Sequence, residues 1–286
     1  MSTLVSTWGA VRDRLRAAGV ESPVLDARLL LEAGAGIVRM DIFTDPHRQL
    51  SDEQLAAIEK LVARREAREP VNYIIGRKPF WNVELTVTPA VLTPRPETEI
   101  LVELALENLP FAESARVLDL GVGSGAILCA VLGGRPLAHG VGVDASAEAL
   151  AVAQQNVDAL GLAPRVELVH GDWSAAPAGR YDLIVSNPPY IRTGTIGLLA
   201  PEVARYEPRL ALDGGPDGLD AYRAILPLLS DLLTDEGVFA LEIGDGQAEA
   251  VWALSDQAGL APTDVRTDLQ GHARVVWGRR RKVPGG

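Results

Sequence analysis

The run Asn187-Pro188-Pro189-Tyr190, with Ser186 before it, collects groups able to hold a planar amino group. The Asn187 side-chain oxygen and the Pro188 carbonyl are acceptors, and proline has no N–H to compete with them. Two acceptors can take both hydrogens of an NH2 group, and the Tyr190 ring offers a flat face to a planar substrate. The nitrogen of an amide or an aromatic amine is a poor nucleophile because its lone pair is delocalised. Hydrogen bonds from both N–H groups raise its electron density and stabilise the positive charge that grows as it attacks. They also aim the nitrogen, so that an approach of roughly 3–3.5 Å is set by binding. Alkyl transfer to a conjugated nitrogen is the chemistry such a corner fits. Asn187, Pro188 and Tyr190 are then the candidate catalytic residues, with Pro189 completing the substrate contact. The plainer alternative is a loop, since Asn-Pro opens many turns.

A second constellation is Leu118-Asp119-Leu120-Gly121-Val122-Gly123-Ser124-Gly125. Three glycines in a G-x-G-x-G pattern let a backbone turn sharply and approach a ligand closely. Open α/β sheets bind ligands at the end of such a strand. A dinucleotide fingerprint is G-x-G-x-x-G, so the early third glycine disfavours a dehydrogenase. Asp144 follows Gly125 by nineteen residues, where a carboxylate can accept from both ribose hydroxyls. It also precedes a helix opened by Ser146, where an acid complements the dipole. In Asp172-Trp173 the carboxylate can accept from an adenine amino group and the indole can cover the ring. A turn aspartate beside a core tryptophan is the competing reading.

These residues must be held by strands and helices that alternate. Apolar runs predict strands at Arg116–Leu120, His139–Asp144, Val166–His170, Tyr181–Ser186, Val238–Ile243 and Ala273–Gly278. Helical patterns fill Gly125–Leu132, Ala147–Leu160, Leu219–Leu233 and Gln247–Ala258. Such alternation implies a mostly parallel sheet with helices on both faces. Upstream, Trp8, Val11, Leu15 and Ala18 follow a helical period. Ser22-Pro23 reads as an N-cap with proline at the first helical position, and Ser51 with Gln54 reads as a capping box. Residues 1–75 therefore form a small helical domain. Residues 76–93 form a β-hairpin connector, on the alternation of Val83, Leu85 and Val87, and 94–286 form the α/β domain. The basic tail Arg279–Gly286 reads as a frayed end.

The single cysteine, Cys129, allows no internal disulfide and no cysteine metal cluster, so no metal is expected. No secretion signal opens the chain, and no apolar run reaches the roughly 18 residues of a membrane span. The expectation is a cytoplasmic protein with no membrane partner. Residues 1–80 hold 12 basic and 11 acidic side chains, and the remainder holds 15 basic and 27 acidic. The C-terminal part thus carries a net of −12, which disfavours direct binding to nucleic-acid phosphates. Arg12, Arg14 and Arg16, and Arg64, Arg65 and Arg68, form basic clusters that are either solvated helix faces or a surface for an acidic partner.

Asp119–Gly125, Asp144, Asp172-Trp173 and Asn187–Tyr190 together resemble the class I S-adenosylmethionine-dependent methyltransferases that modify amide or exocyclic amino nitrogens. Tyr73–Gly76, Pro79-Phe80-Trp81, Val91–Glu99, Tyr206–Leu212, Gly214-Gly215 and Asp217–Leu219 narrow the resemblance to the release-factor glutamine methyltransferases (the PrmC/HemK family). It covers nearly the whole chain. It implies a Rossmann-like methyltransferase sheet, mostly parallel, with a helical N-terminal domain that recognises the substrate. The implied reaction moves a methyl group from S-adenosyl-L-methionine to the side-chain amide nitrogen (N5) of the glutamine in the Gly-Gly-Gln motif of class 1 peptide chain release factors. The by-product is S-adenosyl-L-homocysteine. By position, the resemblance assigns Gly121, Val122, Gly123, Ser124 and Gly125 to the methionine part of the cofactor, with Asp119 near its amino group. It assigns Asp144 to the ribose, Asp172 and Trp173 to the adenine, and Asn187, Pro188, Pro189 and Tyr190 to the glutamine amide, Asn187 also standing near the donor methyl. Thr93 to Glu97 are expected to line the same cleft. Val122 stands where the family often has threonine. A ribosomal-protein glutamine methyltransferase, an adenine-N6 methyltransferase and a non-catalytic cofactor-binding scaffold are the alternatives. The Pro94–Glu99 segment favours release factors over the first.

Overall fold

The computed structural model describes residues 2–281, which divide into two compact units. The first unit comprises residues up to Arg77 together with Ala200–Tyr206. Its helices are α1 (Leu4–Ala17), α2 (Pro23–Ala35), α3 (Asp41–Thr44), α4 (Asp52–Glu66) and α5 (Val71–Ile75). Leu4, Val11 and Leu15 put one face of α1 into a core shared with Leu30, Leu31, Ile58 and Val62. The capping box forms: Ser51 Oγ accepts from the Gln54 amide at 3.2 Å and Gln54 Oε1 accepts from the Ser51 amide at 3.0 Å. Gln54 Nε2 also donates to the Ala35 carbonyl at 2.8 Å, closing the end of α2. Pro23 opens α2 as expected, but the Ser22 side chain makes no capping bond.

Acids of the same unit pair with the basic clusters, while Arg16 and Arg64 remain exposed to solvent. Arg12 and Arg16 pair with Asp13, Arg14 bridges Glu59 and Glu66, and Arg64 pairs with Glu69. Arg65 is 5% exposed and lies between Asp26 at 2.7 Å and Glu202 at 2.9 Å. Arg68 grips Glu202 with two bonds of 2.7 Å. Removing one partner of a buried pair strands the other charge. Asp26→Ala is therefore expected to lower stability by about 3 kcal/mol. Chemical denaturation checks this, and an unmoved midpoint would mean that Glu202 alone satisfies Arg65.

The second unit comprises Lys78–Leu199 and the residues from Glu207 onward. It opens with the hairpin β1 (Arg77–Phe80) and β2 (Val83–Thr86), shorter than the alternation suggested, because Val87 and Val91 are buried beyond the strand end. Then come α6 (Glu99–Asn108), β3 (Arg116–Leu120), α7 (Ala126–Gly134), β4 (His139–Asp144), α8 (Ala147–Ala159), β5 (Val166–His170) and β6 (Tyr181–Ser186). The short helix α9 (Pro201–Tyr206) is the segment that belongs to the first unit. The chain closes with α10 (Asp220–Leu232), β7 (Leu233–Glu242), α11 (Ala248–Gln257), β8 (Leu260–Thr267) and β9 (Ala273–Arg280).

Seven strands form one sheet in the order β5-β4-β3-β6-β7-β9-β8. The pairs from β5 to β7 are parallel, and β9 runs antiparallel to both β7 and β8. Consecutive strand residues point to opposite faces. Val117 and Leu183 accordingly join a core with α6, α7 and α8, while Leu118 and Ile184 join a core with α10 and α11. This is the expected mostly parallel sheet covered on both sides. β9 continues through Arg280, so Arg279 and Arg280 are paired rather than frayed; residues 282–286 lie outside the described residues. Among the described residues no helix is long and apolar enough to cross a membrane.

Candidate active site

The parallel strands β3 and β4 deliver Asp119 and Asp144 to the same end of the sheet, and β6 delivers Asn187 beside them. The Ser186 hydroxyl donates to the Leu120 carbonyl, tying the root of the asparagine corner to the strand that carries the glycine loop. A cavity of about 390 Å³ opens at this end, within the roughly 300–1,000 Å³ usual for small-molecule sites. Gly121, Val122, Gly123 and Ser124 form one side of it, and Asp144, Trp173, Asn187 and Pro189 are also on its wall.

Gly121 has φ +86°, and a Cβ there would stand 3.1 Å from Trp173 Cζ3. Only glycine combines that backbone with the indole lying against it. The Gly121 and Val122 amides both donate to the Val143 carbonyl, at 2.8 and 3.0 Å. From behind, the buried Asn156 of α8 donates to the Ser124 carbonyl at 2.8 Å and to the Thr86 carbonyl at 3.0 Å. Asn156 thus holds the loop against β2. A polar residue on an otherwise regular helix face gives no hint of this in the sequence.

Asp144 is engaged by backbone. Its Oδ2 accepts from the Gly123 amide at 2.8 Å and its Oδ1 from the Ser146 amide at 2.9 Å. Ser146 caps α8, accepting from the Ala149 amide at 3.1 Å. The carboxylate therefore orients the glycine loop and the helix start while lining the cavity. Asp119 is fully buried behind the wall, and neither of its oxygens has a hydrogen-bond partner. Burial, reinforced by the charge of Asp144, pushes its carboxyl up to about 7; the Leu128 amide opposes this without making a bond of good geometry. Two carboxylates behind one loop make this end of the cavity electronegative, a seat suited to a cation.

Not every expected residue reaches the wall. Asp172 is exposed and is not on the wall beside Trp173; its Oδ1 accepts from the Ser174 amide at 2.9 Å and the Ser174 hydroxyl at 2.6 Å. Gly125 starts α7 and is buried beneath the loop. Pro188 is buried, and Tyr190 stands behind the corner with its hydroxyl donating to Glu242 Oε1 at 3.2 Å. Of the segment Thr93–Glu97, Pro94 reaches the wall; Thr98, just beyond it, does too. Arg95 instead pairs with Glu207, whose carboxyl burial pushes upward and whose side chain is 2% exposed. This ion pair joins the segment around Pro94 to the segment carrying Pro208, Leu210 and Ala211, which also line the cavity. Gly214 lies flush on the corner: a Cβ there would meet the Pro189 carbonyl oxygen at 2.7 Å. Sequence spacing pointed to the glycines and the asparagine corner, whereas Ser146, Leu210 and Ala221 lie on the wall through tertiary packing alone.

Sheet order, glycine loop and asparagine corner define a Rossmann-like methyltransferase unit. A methyltransferase from Pyrococcus furiosus shares this fold at TM-score 0.54 and 18% identity, over 77% of this chain and 100% of that one. The ribosomal protein L11 methylase of Lactobacillus delbrueckii subsp. bulgaricus matches at TM-score 0.50 and 18% identity, over 68% and 84%. Residues 96–202 match the model of the methyltransferase small domain, and residues 8–76 match that of the PrmC N-terminal domain.

Whole-chain relatives are more specific. The release factor glutamine methyltransferase of Caulobacter vibrioides is 54% identical over 279 residues, 96% of either chain. That of Rhodospirillum rubrum is 47% identical over 268 residues, 94% of this chain and 82% of the relative. The chain belongs to the release factor glutamine methyltransferase family.

Proposed function

We propose that the chain transfers a methyl group from S-adenosyl-L-methionine to the side-chain amide nitrogen (N5) of the glutamine in the Gly-Gly-Gln motif of class 1 peptide chain release factors, releasing S-adenosyl-L-homocysteine. The observation that carries this reading is the presence of Asn187 on the wall of the cavity that the glycine loop forms, in a chain 54% identical to a release factor glutamine methyltransferase. Such a reaction supports translation termination and places the enzyme in the cytoplasm.

The residues present fit the cofactor. It is a cation at both its sulfur and its amino group; Asp144 lines the cavity, and the unpartnered Asp119 carboxyl is buried just behind its wall. Gly121 to Gly125 would hold the methionine part, Asp144 the ribose, and Trp173 the adenine, with Asp172 at its edge. When bound, S-adenosylmethionine supplies a methyl carbon on a positive sulfur that departs as a neutral thioether. The chain's part is to prepare the nucleophile. Asn187 Oδ1 and the Pro188 carbonyl accept the two amide hydrogens, Pro189 and Tyr190 shape the corner, and the glutamine nitrogen is held toward the methyl carbon. The proton that nitrogen sheds after transfer goes to solvent. Residues 1–75 recognise the folded factor, 76–93 connect, and 94–286 carry the chemistry.

The adenine-N6 alternative is opposed by the net −12 of residues 81–286. The decisive experiment is methyl transfer from labelled S-adenosylmethionine to a purified class 1 release factor, beside one with the Gly-Gly-Gln glutamine replaced by alanine, and beside DNA and RNA. Label on that glutamine alone is expected; label on nucleic acid would overturn the partner while keeping the chemistry.

Gly121→Ala is expected to weaken cofactor binding at least tenfold. The positive φ costs a side chain roughly 1–2 kcal/mol, and the Cβ would displace the Trp173 indole. Calorimetry checks it, and unchanged affinity would remove the Gly121–Trp173 contact from the binding site.

A further inference from the structure

We propose that Glu242 is a positioning residue that acts through the Thr98 hydroxyl to fix which end of the Asn187 side chain faces the cavity. This rests on the reading of Asn187 as the acceptor of the substrate amide.

An asparagine side chain has a donor end and an acceptor end of nearly the same shape. Only the acceptor end serves here, since an NH2 group turned to the cavity would oppose the substrate's own NH2. Asn187 Nδ2 donates to Thr98 Oγ1 at 3.1 Å, which leaves Oδ1 for the cavity. That arrangement holds only while the Thr98 hydroxyl accepts from Asn187 and gives its single proton elsewhere. Glu242 is placed to take it. It ends β7, one residue past Leu241, which pairs with Ser186 at the root of the corner. Its side chain is almost fully buried, Oε1 accepts from the Tyr190 hydroxyl at 3.2 Å, and Oε2 has no partner of good geometry. Thr98 is nonetheless close enough to favour the charged form of Glu242, as a donor to it does. The Tyr222 hydroxyl holds the Glu242 carbonyl at 2.8 Å and so fixes the strand end. A carboxylate is a pure acceptor. With Glu242 ionised, the polarity runs one way: Asn187 N–H to Thr98, and Thr98 O–H to Glu242.

Protonation reverses the logic. A neutral Glu242 can donate to Thr98, which frees the threonine proton for Asn187 Oδ1 and permits the flipped amide. The groups facing Glu242 are Tyr190 and Thr98, Glu97 from the same segment as Thr98, Arg274 from β9 and Tyr222 from α10. Burial pushes its carboxyl up to about 7, and Glu97 adds to this while Thr98, Tyr190 and Arg274 oppose it. Turnover should therefore fall as the pH drops through about 7.

The test uses the full chain at saturating methyl donor, so that titration of Asp119 does not enter. Glu242→Gln and Thr98→Val are expected to lower kcat about 10- to 100-fold, the size of effect that follows from small misplacement. Donor affinity by calorimetry should be unchanged, which also shows that the variants fold. Thr98→Ser should restore most of the loss seen in Thr98→Val, and Glu242→Gln should flatten the fall of kcat below pH 7. Normal kcat in Thr98→Val, or an unaltered pH profile in Glu242→Gln, would overturn the proposal. If the unmodified chain binds donor but methylates no release factor, the functional reading has failed instead. The orientation is then read from the 15N signal of the Asn187 side-chain amide. That signal should shift as Glu242 titrates in the unmodified chain and stay still in Thr98→Val; no shift in the unmodified chain overturns the proposal on its own.

Discussion

Replacing Asn187 by alanine should cut turnover by about 10²- to 10³-fold, the loss that follows removal of one preorganised group aimed at developing charge. The acceptor matters most when the glutamine nitrogen begins to share its lone pair, because its N–H groups then become more acidic and bond more strongly to oxygen. An interaction that strengthens toward the transition state appears in kcat rather than in binding. Donor affinity should change little by comparison. The loop that would hold the donor is fixed from elsewhere: by the Val143 carbonyl, by Asp144 and by Asn156. Asn187→Asp separates shape from polarity. It keeps the volume and the Oδ1 acceptor but cannot donate to Thr98, so it should also be slow. Single-turnover transfer to a release factor, paired with calorimetry for the donor, checks both variants. Turnover within a few-fold of normal in Asn187→Ala would sink the assigned role.

The central strands were legible because they are buried on both faces and read as apolar runs. Arg116–Leu120, His139–Asp144 and Tyr181–Ser186 have the bounds their sequences suggest, and so does Val166–His170 at one edge of the sheet. The other edge was not legible. β8 (Leu260–Thr267) contains Pro262, Thr263 and Asp264 and pairs only with β9, so no apolar alternation marks it. β7 begins at Leu233 rather than Val238 because Thr234, Asp235 and Glu236 hide its first half. The site divides along the same line. Glycines at positive φ and the Asn-Pro-Pro-Tyr run have local signatures, and they meet at one cavity. Asn156, Glu207 and Glu242 act across gaps of 32 to 144 residues on Ser124, Arg95 and Thr98, and then on Asn187 (positions 156 and 124; 207 and 95; 242 and 98), so no local pattern reveals them. The pairing of Arg14, Arg65 and Arg68 is hidden for a related reason. Their neutralising acids, Glu59, Glu66 and Glu202, lie on other helices.

Between pH 4 and 8 the ligand-free protein should become less stable as the pH rises, opposite to the trend set by ion-paired carboxylates. Asp119 is raised from 3.8 to about 7 and Glu242 from 4.5 to about 7, both by burial first. A raised carboxyl means that the native state holds a proton the unfolded chain has released. The stability it contributes is complete below about pH 4 and is lost as the pH climbs through 7. For Asp119 taken alone this amounts to roughly 4 kcal/mol. Burial pushes Asp26 and Glu207 in the same direction. Asp217 and Asp268, held near 2 by their arginine partners and backbone donors, act only at the acid end of the range. A cationic methyl donor changes the balance at Asp119, since a positive charge in the cavity favours its ionised form. The rise in melting temperature given by S-adenosylmethionine should therefore be larger at pH 8 than at pH 6. In Asp119→Asn the dependence on pH should flatten and the donor's extra effect at pH 8 should disappear. Thermal denaturation with and without donor across this range decides the matter. Constant stability from pH 4 to 8 would mean that Asp119 is already charged in the native fold, and a pH-independent donor effect would mean that the donor's charge lies away from it.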